Sequence, residues 1–533
     1  MYNQKNKVVK KIKENKYYKK TKKSLGSIIF SRAGLFAFLI ILQIFLLVMV
    51  YRYLGINQYW LFGGSSILSF IMIMVILNID EMNPYMKLSW SFFIFVAPTF
   101  AIIAFLMAHF KIGYRREHKR IIDLEKESRI YHNNRMTKEE ILETEDKRFI
   151  NLTNYLKKVG GFPSYKSTRS EYYKVGEDMF ESMIEDIKNA KDFIFMEFFI
   201  LDYGYMWGTI LELLVSKVNE GVEVRLLIDG SNLITRLHSD FEKEMEEFGI
   251  KFRVFSKMYP IVSTYLNNRD HKKVMVVDGK VGYTGGINLA DEYINRYERF
   301  GHWKDCGLRV EGEAVEGLSV MFLTMWNAAK KNTVIEDFSP YLIRPKYEGD
   351  QDGYYIPFAD NPTDDERICK NIYLDMVNNA RDYLYTMTPY LILDNEVISA
   401  LQNASKKGVD VRICIPHIPD KKLAFTLAKN HYSELLKHGV KIYEYLPGFV
   451  HSKTWLADGK IGVVGTINLD YRALYQNFEC GILTYKTQSL LTIKEDFDEF
   501  FEISKLVTEE DIKNMKLTTK LAGKILKPFA TLM

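Results

Sequence analysis

One block of sequence occurs twice in this chain, 180 residues apart, and it constrains the fold more than any other feature. Both copies read His-x-Lys-x-x-x-x-Asp-Gly-Lys, at residues 271–280 and again at residues 451–460. Each copy is followed at the same distance by a Gly-x-Ile-Asn segment, which ends at Asn288 in the first copy and Asn468 in the second. A lone His-x-Lys is common by chance, whereas two copies with the same continuation predict two halves of one topology.

The segments that precede each copy also repeat, and they alternate between strand-like and helix-like patterns. The run 192–200 resembles 382–390, and 221–228 matches 408–415, with the helix-like run 209–220 between the first pair. Strand, helix and strand at this spacing are typical of βαβ units with parallel strands. The sequence therefore predicts two similar α/β domains with mixed sheets packed around one shared active site. The predicted domains are residues 165–335 and 336–505.

The histidine and lysine of each motif are expected on one face of a strand, because side chains alternate between faces. His271 then projects with Lys273, and His451 with Lys453. Two such pairs face to face suit a phosphodiester, since lysines neutralise phosphoryl oxygens. One neutral imidazole can attack phosphorus, while the other, as imidazolium, protonates the departing alkoxide and then deprotonates the incoming alcohol. This catalytic scheme requires no metal or cofactor.

The motif aspartates, Asp278 and Asp458, each precede a glycine between apolar runs, which is a strong signal for a hairpin turn. We group them with the catalytic motif. Their position in the alternating pattern places them off the face that carries the histidine and lysine, so we expect an indirect role. The alternative is that they only hold the turn.

Four further polar residues repeat between the halves. Asn288 and Asn468 are candidate hydrogen-bond donors to a phosphate group. Asp305, in Asp-Cys-Gly, aligns with Glu479, in Glu-Cys-Gly. A nucleophilic histidine needs its tautomer fixed by a hydrogen bond to its other nitrogen, and these acids are our candidates for that role. The alternative for each acid is a structural ion pair.

Ahead of the repeat, residues 33–110 contain only four charged side chains and three long uncharged runs, 33–50, 53–79 and 88–110. Each run approaches the roughly 20 residues that cross a bilayer core. The tail 1–32 carries +10 and residues 111–120 carry +4, so the positive-inside rule assigns both to the cytoplasm. The sequence predicts two true spans, with the third run re-entrant or interfacial and the large domain cytoplasmic. A polar helical connector is predicted for 111–164.

The charge of the whole chain is only +5, and residues 33–110 are neutral, so the basic tail leaves −5 for the remaining 423 residues. A body with this charge argues against nucleic acid as a partner. The C-terminal segment 506–533 is different: Lys516, Lys520 and Lys524 recur every four residues beside apolar side chains. That pattern fits a helix on an anionic membrane surface, and the alternative is a solvated terminal helix.

The duplicated motif is the signature of the phospholipase D superfamily, and the chain resembles the bacterial cardiolipin synthases within it. The similarity rests on Asn-Arg-Asp-His-Lys-Lys at 268–273, Gly-His-Trp-Lys-Asp at 301–305, Gly-Phe-Val-His-Ser-Lys at 448–453 and Asn-Phe-Glu at 477–479. It covers roughly residues 30–533. The tail 1–25 is not part of the family pattern.

This resemblance implies transfer of a phosphatidyl group from one phosphatidylglycerol to another at the bacterial cell membrane, giving cardiolipin and glycerol. It implies His271 as the nucleophile, which becomes a phosphohistidine, with His451 as acid and base. Glu197 occupies a position where the family also has Glu; it either lines the site or is buried at a strand end. The oligomeric state is left open.

Other activities share these residues. A hydrolytic phospholipase D uses the same groups with water as acceptor, and a related synthase uses phosphatidylethanolamine as donor or co-substrate. A phosphodiester nuclease carries the same duplicated motif but should have a basic groove, in contrast to the −5 of this body. A non-catalytic membrane scaffold is disfavoured by two complete motifs.

Overall fold

The computed structural model describes most of the chain from residue 59 onward. The described residues are 59–80, 82–96, 98–109, 115–133, 145–257, 268–330, 335–343 and 352–532, with single positions at 41, 45, 48, 49, 52, 53, 345, 347 and 349. The basic tail 1–32 and most of the apolar run 33–50 lie outside the described residues.

Three apolar helices, α1 (Tyr59–Leu77), α2 (Pro84–Val96) and α3 (Pro98–His109), pack against one another. In the uncharged run 88–110 the structure describes α2 up to Val96 and α3 from Pro98 to His109, and residues 97 and 110 lie outside the described residues. Within the described residues no helix has both the length and the apolar character of a membrane span. The predicted crossings therefore stay a prediction.

Polar helices connect this region to the body: α4 (Arg115–Asn133) and α5 (Lys147–Tyr155). The elements of the first half follow. They are β1 (Thr168–Tyr173), α6 (Gly176–Asn189), β2 (Phe193–Phe198), α7 (Tyr205–Glu220), β3 (Glu223–Asp229), α8 (Ser231–Thr235), α9 (Phe241–Glu247), β4 (Lys251–Phe255), β5 (Lys273–Val277), β6 (Val281–Gly285), β7 (His302–Lys304), β8 (Gly307–Gly312) and α10 (Val315–Ala328).

The second half repeats the pattern. Its elements are β9 (Tyr354–Asp360), α11 (Ile368–Asn379), β10 (Tyr383–Met387), α12 (Asn395–Lys406), β11 (Asp410–Pro416), α13 (Lys422–Leu436), β12 (Lys441–Tyr445), β13 (Gly448–Val450), β14 (Thr454–Ala457), β15 (Ile461–Gly465), α14 (Tyr471–Tyr475), β16 (Glu479–Tyr485), α15 (Ser489–Glu502) and β17 (Ser504–Leu506). Two helices, α16 (Glu509–Lys513) and α17 (Leu517–Leu526), and a 3-10 turn, Lys527–Leu532, complete it.

Each half is built on one mixed sheet, as the repeat predicts. The first sheet has the order β1-β8-β6-β5-β2-β3-β4, and the second β17-β12-β11-β10-β14-β15-β16-β9. Strands β2, β3 and β4 run parallel, as do β10, β11 and β12, because helical crossovers connect them. The neighbouring motif strands β5 and β14 pair antiparallel to β2 and β10. The prediction of two similar α/β domains with mixed sheets is confirmed.

Besides an apolar cluster of its own, each half contributes to one cluster that spans both halves. Helix α10 has almost every side chain buried, and it lies between β5 of the first sheet and β9 of the second. A helix that is buried all round requires neighbours on every side, and the connector α4 is one of them. Short strands β7 and β13 also pair across the halves, with Trp303 opposite Phe449. These contacts fix the two sheets relative to each other.

The motif aspartates begin the predicted hairpin turns. Asp278 and Asp458 have φ of 52°, and the glycines that follow them also have positive φ. Two consecutive positive-φ residues define the tight turn that suits a β-hairpin, and glycine adopts this conformation without a steric penalty. The carboxylate of Asp278 accepts hydrogen bonds from the backbone N–H groups of Lys191, Asp192 and Phe193. Asp458 does the same for residues 381–383.

We expect Asp278→Asn to lower the free energy of unfolding by about 1.5–3 kcal/mol, since it replaces one charged acceptor of these backbone donors. Asparagine tolerates positive φ, so the turn itself is retained. Thermal and urea unfolding measure the loss. The same change at Asp192, whose side chain lies outside the turn, is the control. If the free energy of unfolding of Asp278→Asn equalled that of the wild type, the role of Asp278 in anchoring the turn would be contradicted.

Candidate active site

The two motif histidines lie where the halves meet, each held by the backbone of the other half. His271 precedes β5, and its N–H donates to the carbonyl of Phe478 at 2.9 Å. His451 follows β13, and its N–H donates to the carbonyl of Lys304 at 2.7 Å. Both histidines sit just outside the strand on which the sequence placed them, and both are buried.

The repeated acids bind the histidines across the interface between the halves. Nδ1 of His271 lies 2.9 Å from Oε2 of Glu479, and Nδ1 of His451 lies 2.8 Å from Oδ2 of Asp305. An Nδ1–H that donates to a carboxylate leaves Nε2 unprotonated in the neutral ring, with its lone pair available for chemistry. Each acid therefore serves the histidine of the opposite half.

The motif lysines are fully buried beside these rings. The Lys273 ammonium donates to the carbonyl of His271 at 2.5 Å, and the Lys453 ammonium donates to the carbonyl of His451. Burial, together with the charge of the other lysine, lowers the pKa of Lys273 to about 7. Burial lowers the pKa of Lys453 to about 8. An anion bound between them would favour the charged form of both.

Both imidazoles are neutral in this setting. Burial lowers the pKa of His271 well below its ordinary value, and the charges of Lys273 and Lys453 lower it further. Burial and Lys453 lower the pKa of His451 to about 4, although Asp305 opposes this shift. A neutral ring is the form that can act as nucleophile or base.

The two carboxylates differ in acidity. Burial would raise the pKa of Asp305, but the hydrogen bond from His451 and the charge of Lys453 hold it below its ordinary value. Burial raises the pKa of Glu479 to about 7, despite the charge of Lys273 and hydrogen bonds from Thr466 and Asn477. At neutral pH, Asp305 is ionised and Glu479 is partly protonated.

The motif aspartates lie at the opposite ends of their strands from the histidines. Strand β5 separates Lys273 from Asp278, and the Asp278 carboxylate is occupied by backbone donors. The structure therefore does not bring Asp278 or Asp458 to the imidazoles. Their carboxylates hold the two turns, and an indirect part in catalysis stays a prediction.

The two asparagines differ in their partners. Asn288 accepts a hydrogen bond from the N–H of Ile200 at 2.9 Å and donates to the hydroxyl of Tyr293 at 2.8 Å. The Tyr293 ring in turn lies 5.3 Å from that of His451. In the second half Asn468 is buried, and its Oδ1 accepts no hydrogen bond from any described residue.

Glu197 is buried on the far side of the motif strand. It lies opposite Val274 in the register of β2 and β5, and so on the face opposite to Lys273. Its carboxylate binds the ammonium of Lys272 at 2.8 Å. Burial and the charge of Asp270 raise the pKa of Glu197 well above its ordinary value. The structure thus places Glu197 behind the motif, away from the imidazoles.

Several residues near the imidazoles were not identified from the sequence. The indole Nε1–H of Trp303 donates to Asp305 at 3.3 Å, and Asn477, two residues before Glu479, donates to that acid at 3.0 Å. Each donor lies two residues before its acid, so the alignment of Asp305 with Glu479, extended by two positions toward the N-terminus, contains the signal for both. Phe199 and Phe449 flank His271 and His451 with ring centroids 4.9 Å and 6.0 Å away.

The described residues contain no group of three or more His, Cys, Asp and Glu side chains arranged to hold a metal ion. What the site does contain is two neutral imidazoles with free Nε2 atoms and two buried lysines. That set can bind a phosphodiester anion and pass protons to and from its oxygens.

Comparisons with known proteins agree with this geometry. A family model described as "Cardiolipin synthase, PLD-like domain" matches residues 183–305 and 373–501. A cardiolipin synthase of Alkalihalophilus pseudofirmus is 31% identical over 469 residues, which cover 86% of this chain and 92% of that protein. An uncharacterized protein of Streptococcus mutans is 50% identical over 386 residues, covering 72% and 83%.

Among solved structures, the crystal structure of phosphatidylserine synthase from Haemophilus influenzae superposes with a TM-score of 0.54 at 15% identity. The superposition covers 73% of this chain and 98% of that one. At this identity the likeness shows a common fold.

We expect a doubly charged oxyanion such as tungstate to bind at least about tenfold more tightly at pH 6 than at pH 9, because Lys273 and Lys453 lose their protons between these values. Isothermal titration calorimetry measures the affinity. Lys453→Met should weaken binding at pH 6, and Lys460→Met, at an exposed position, should not. Affinity that does not change with pH would contradict the proposed pair of titrating lysines.

Proposed function

Since this chain belongs to the cardiolipin synthase family of the phospholipase D superfamily and is a phosphatidyltransferase, we propose that it joins two phosphatidylglycerol molecules. One gives up its phosphatidyl group and releases glycerol, and the other accepts the group to form cardiolipin. The observation that carries the proposal is the pair of imidazoles, each oriented by a carboxylate of the opposite half and flanked by a buried lysine.

In the first step, Nε2 of His271 attacks the phosphorus of the donor lipid. The bond from phosphorus to the glycerol headgroup oxygen breaks, and His451, as imidazolium, gives its proton to that oxygen. The product is a phosphatidyl group bonded to Nε2 of His271, while Nδ1–H stays hydrogen-bonded to Glu479. Lys273 and Lys453 neutralise the phosphoryl oxygens throughout.

In the second step, the free hydroxyl of another phosphatidylglycerol takes the place of glycerol. His451, now neutral, removes the hydroxyl proton as the oxygen attacks phosphorus. The bond from phosphorus to His271 breaks, and both histidines return to their starting state. No proton or electron is left over, so the cycle requires no further reactant.

We assign the nucleophile to His271 and the proton transfer to His451. An imidazolium is stabilised by an ionised carboxylate, and Asp305 is the more acidic of the two partners. His271, with the less acidic Glu479, is better kept neutral. A bound phosphodiester would offset the lysine charges that lower the pKa of His451, and so would help to charge it.

Hydrolysis is the nearest alternative, because water could replace the lipid hydroxyl in the second step. The imidazoles are buried, which restricts water and favours a bound alcohol. Phosphatidylethanolamine as donor or co-substrate would use the same residues. The products distinguish these possibilities.

With labelled phosphatidylglycerol as substrate, we expect cardiolipin and glycerol as products. His271→Ala and His451→Ala should each lower turnover by at least about 10³-fold, because each removes a group that makes or breaks bonds. Rapid acid-free quenching should trap the labelled lipid on His271 and not on His451.

His438→Ala is the matched control, since His438 lies near the start of β12, outside the paired histidines. It should leave turnover unchanged. Phosphatidic acid as the main product would show that the enzyme is a hydrolase and not a synthase. Label recovered on His451 would reverse the assigned roles.

We further propose that the enzyme is a multi-pass protein of the bacterial cell membrane, with its catalytic body in the cytoplasm. The basic tail 1–32 and the basic residues 111–120 flank the apolar region, and both would face anionic lipid on that side. An active site that is anchored to a bilayer has the most direct access to a substrate in that bilayer.

A single introduced cysteine tests the location in the whole protein. The four native cysteines are buried, so Leu491→Cys at an exposed position of α15 is the intended site of labelling. We expect a membrane-impermeant maleimide to label it only after the cells are permeabilised. The wild-type chain is the control for background, and labelling of Leu491→Cys in intact cells would place the body outside.

A further inference from the structure

Helix α17 presents an apolar row to solvent. Leu517, Leu521 and Ile525 recur every fourth residue, which places them on one face, and they are 71%, 51% and 67% exposed. Lys516, Lys520 and Lys524 recur at the same spacing along the edge of that face, as the sequence indicated. We refer to Leu517, Leu521 and Ile525 as the terminal apolar face.

The other side of α17 is docked on the second half. Gly523 is buried beside Asn430 of α13, where any side chain would crowd that residue. Leu526 and Ala530 pack with Leu427 and Tyr471. The helix is therefore held in a fixed orientation, and its outward apolar row is a property of the folded protein.

A second exposed apolar row lies on α2. The turn Lys527–Leu532 lies against α2, where the Ser89 hydroxyl donates to the carbonyl of Pro528. On α2, Leu88, Phe92 and Phe95 lie on one face and are exposed. The turn that follows α17 thus contacts α2, and each of these two helices carries an apolar row that the described residues leave exposed.

We propose that the terminal apolar face inserts into the interface of an anionic lipid bilayer, with α17 lying in the plane of the membrane. An apolar row edged by lysines matches acyl chains beside phosphate groups. A second copy of the chain fits less well, because the lysines of two copies would repel each other. Lys527 contributes little to this charge, since it lies 3.9 Å from Glu434.

This inference rests on the proposed function, and it adds which side of the active site faces the membrane. The turn that follows α17 packs on α14, which begins three residues after Asn468. α13, on which α17 lies, follows directly after Lys421, whose charge acts on His271. The bilayer would then adjoin the second half of the site, so that lipid reaches the imidazoles from that side.

A polarity-sensitive fluorophore on Leu521→Cys reports the contact in the full-length protein, because the native cysteines are buried. After reconstitution into vesicles containing phosphatidylglycerol, we expect blue-shifted emission that brominated lipid quenches. The same fluorophore on Leu491→Cys, at a similarly exposed position of α15, should show neither effect. Equal signals at both positions would overturn the proposal, and a shift that follows protein density at fixed lipid would indicate a second copy instead.

Activity provides the second measurement. The triple variant Leu517→Ser, Leu521→Ser, Ile525→Ser should lose at least about fivefold of its turnover on vesicles and stay within about twofold of wild type in mixed detergent micelles. The control replaces exposed residues elsewhere: Leu446→Ser, Leu491→Ser, Ile503→Ser. If the triple variant lost turnover equally on vesicles and in micelles, or if the control variant lost as much turnover as the triple variant, the role of the terminal apolar face at the membrane would be overturned. Failure to form cardiolipin at all would refute the proposed function and leave the fluorescence result intact.

Discussion

Two hydrogen bonds that cross between the halves, His271 to Glu479 and His451 to Asp305, are the interaction on which the site depends. Each histidine is carried by one half and oriented by the other. A small rotation of one sheet against its partner would break both contacts at once. The helix α10, buried on all sides between the two sheets, and the β7–β13 pair give the rigidity that these bonds require. The extensive shared core is therefore part of the active-site design.

The acids of the folded site do not fully neutralise its buried positive charge. Lys273 and Lys453 lie close enough for each to influence the other, and burial lowers the pKa of both toward neutrality. Asp305 and Glu479 are already engaged with the imidazoles. An anion that binds between the lysines relieves their repulsion and stabilises their charged forms. The binding of a phosphodiester and the readiness of the site for reaction are thus coupled through the same two ammonium groups.

Local chemistry could be predicted from the sequence, but the relation between the halves could not. The turns at Asp278 and Asp458 follow from Asp-Gly between apolar runs, and the parallel strands follow from the βαβ spacing. No spacing in the sequence indicates that Glu479 contacts His271 of the other half, because this contact depends on how the two sheets pack. Glu197 illustrates the same limit: β2 is buried on both faces, so its alternation cannot say which face meets the imidazoles. Only the register, Glu197 opposite Val274, assigns it to the face of Lys272.

The motif itself is the same in both halves, but the residues that surround the two motif histidines differ. Tyr293, Trp303 and Phe449 surround His451 with aromatic rings, and the aligned positions in the other half are Ala473, Asn477 and Arg269. The ionised Asp305 favours a cation at His451. The positions of the other half that correspond to these three rings are small, polar or cationic; the ring of Phe199 lies beside His271, and the acid partner of His271 is weaker. A two-step transfer needs one ring that attacks and one that carries a proton. The differences that surround two identical motifs are what can divide those tasks between them.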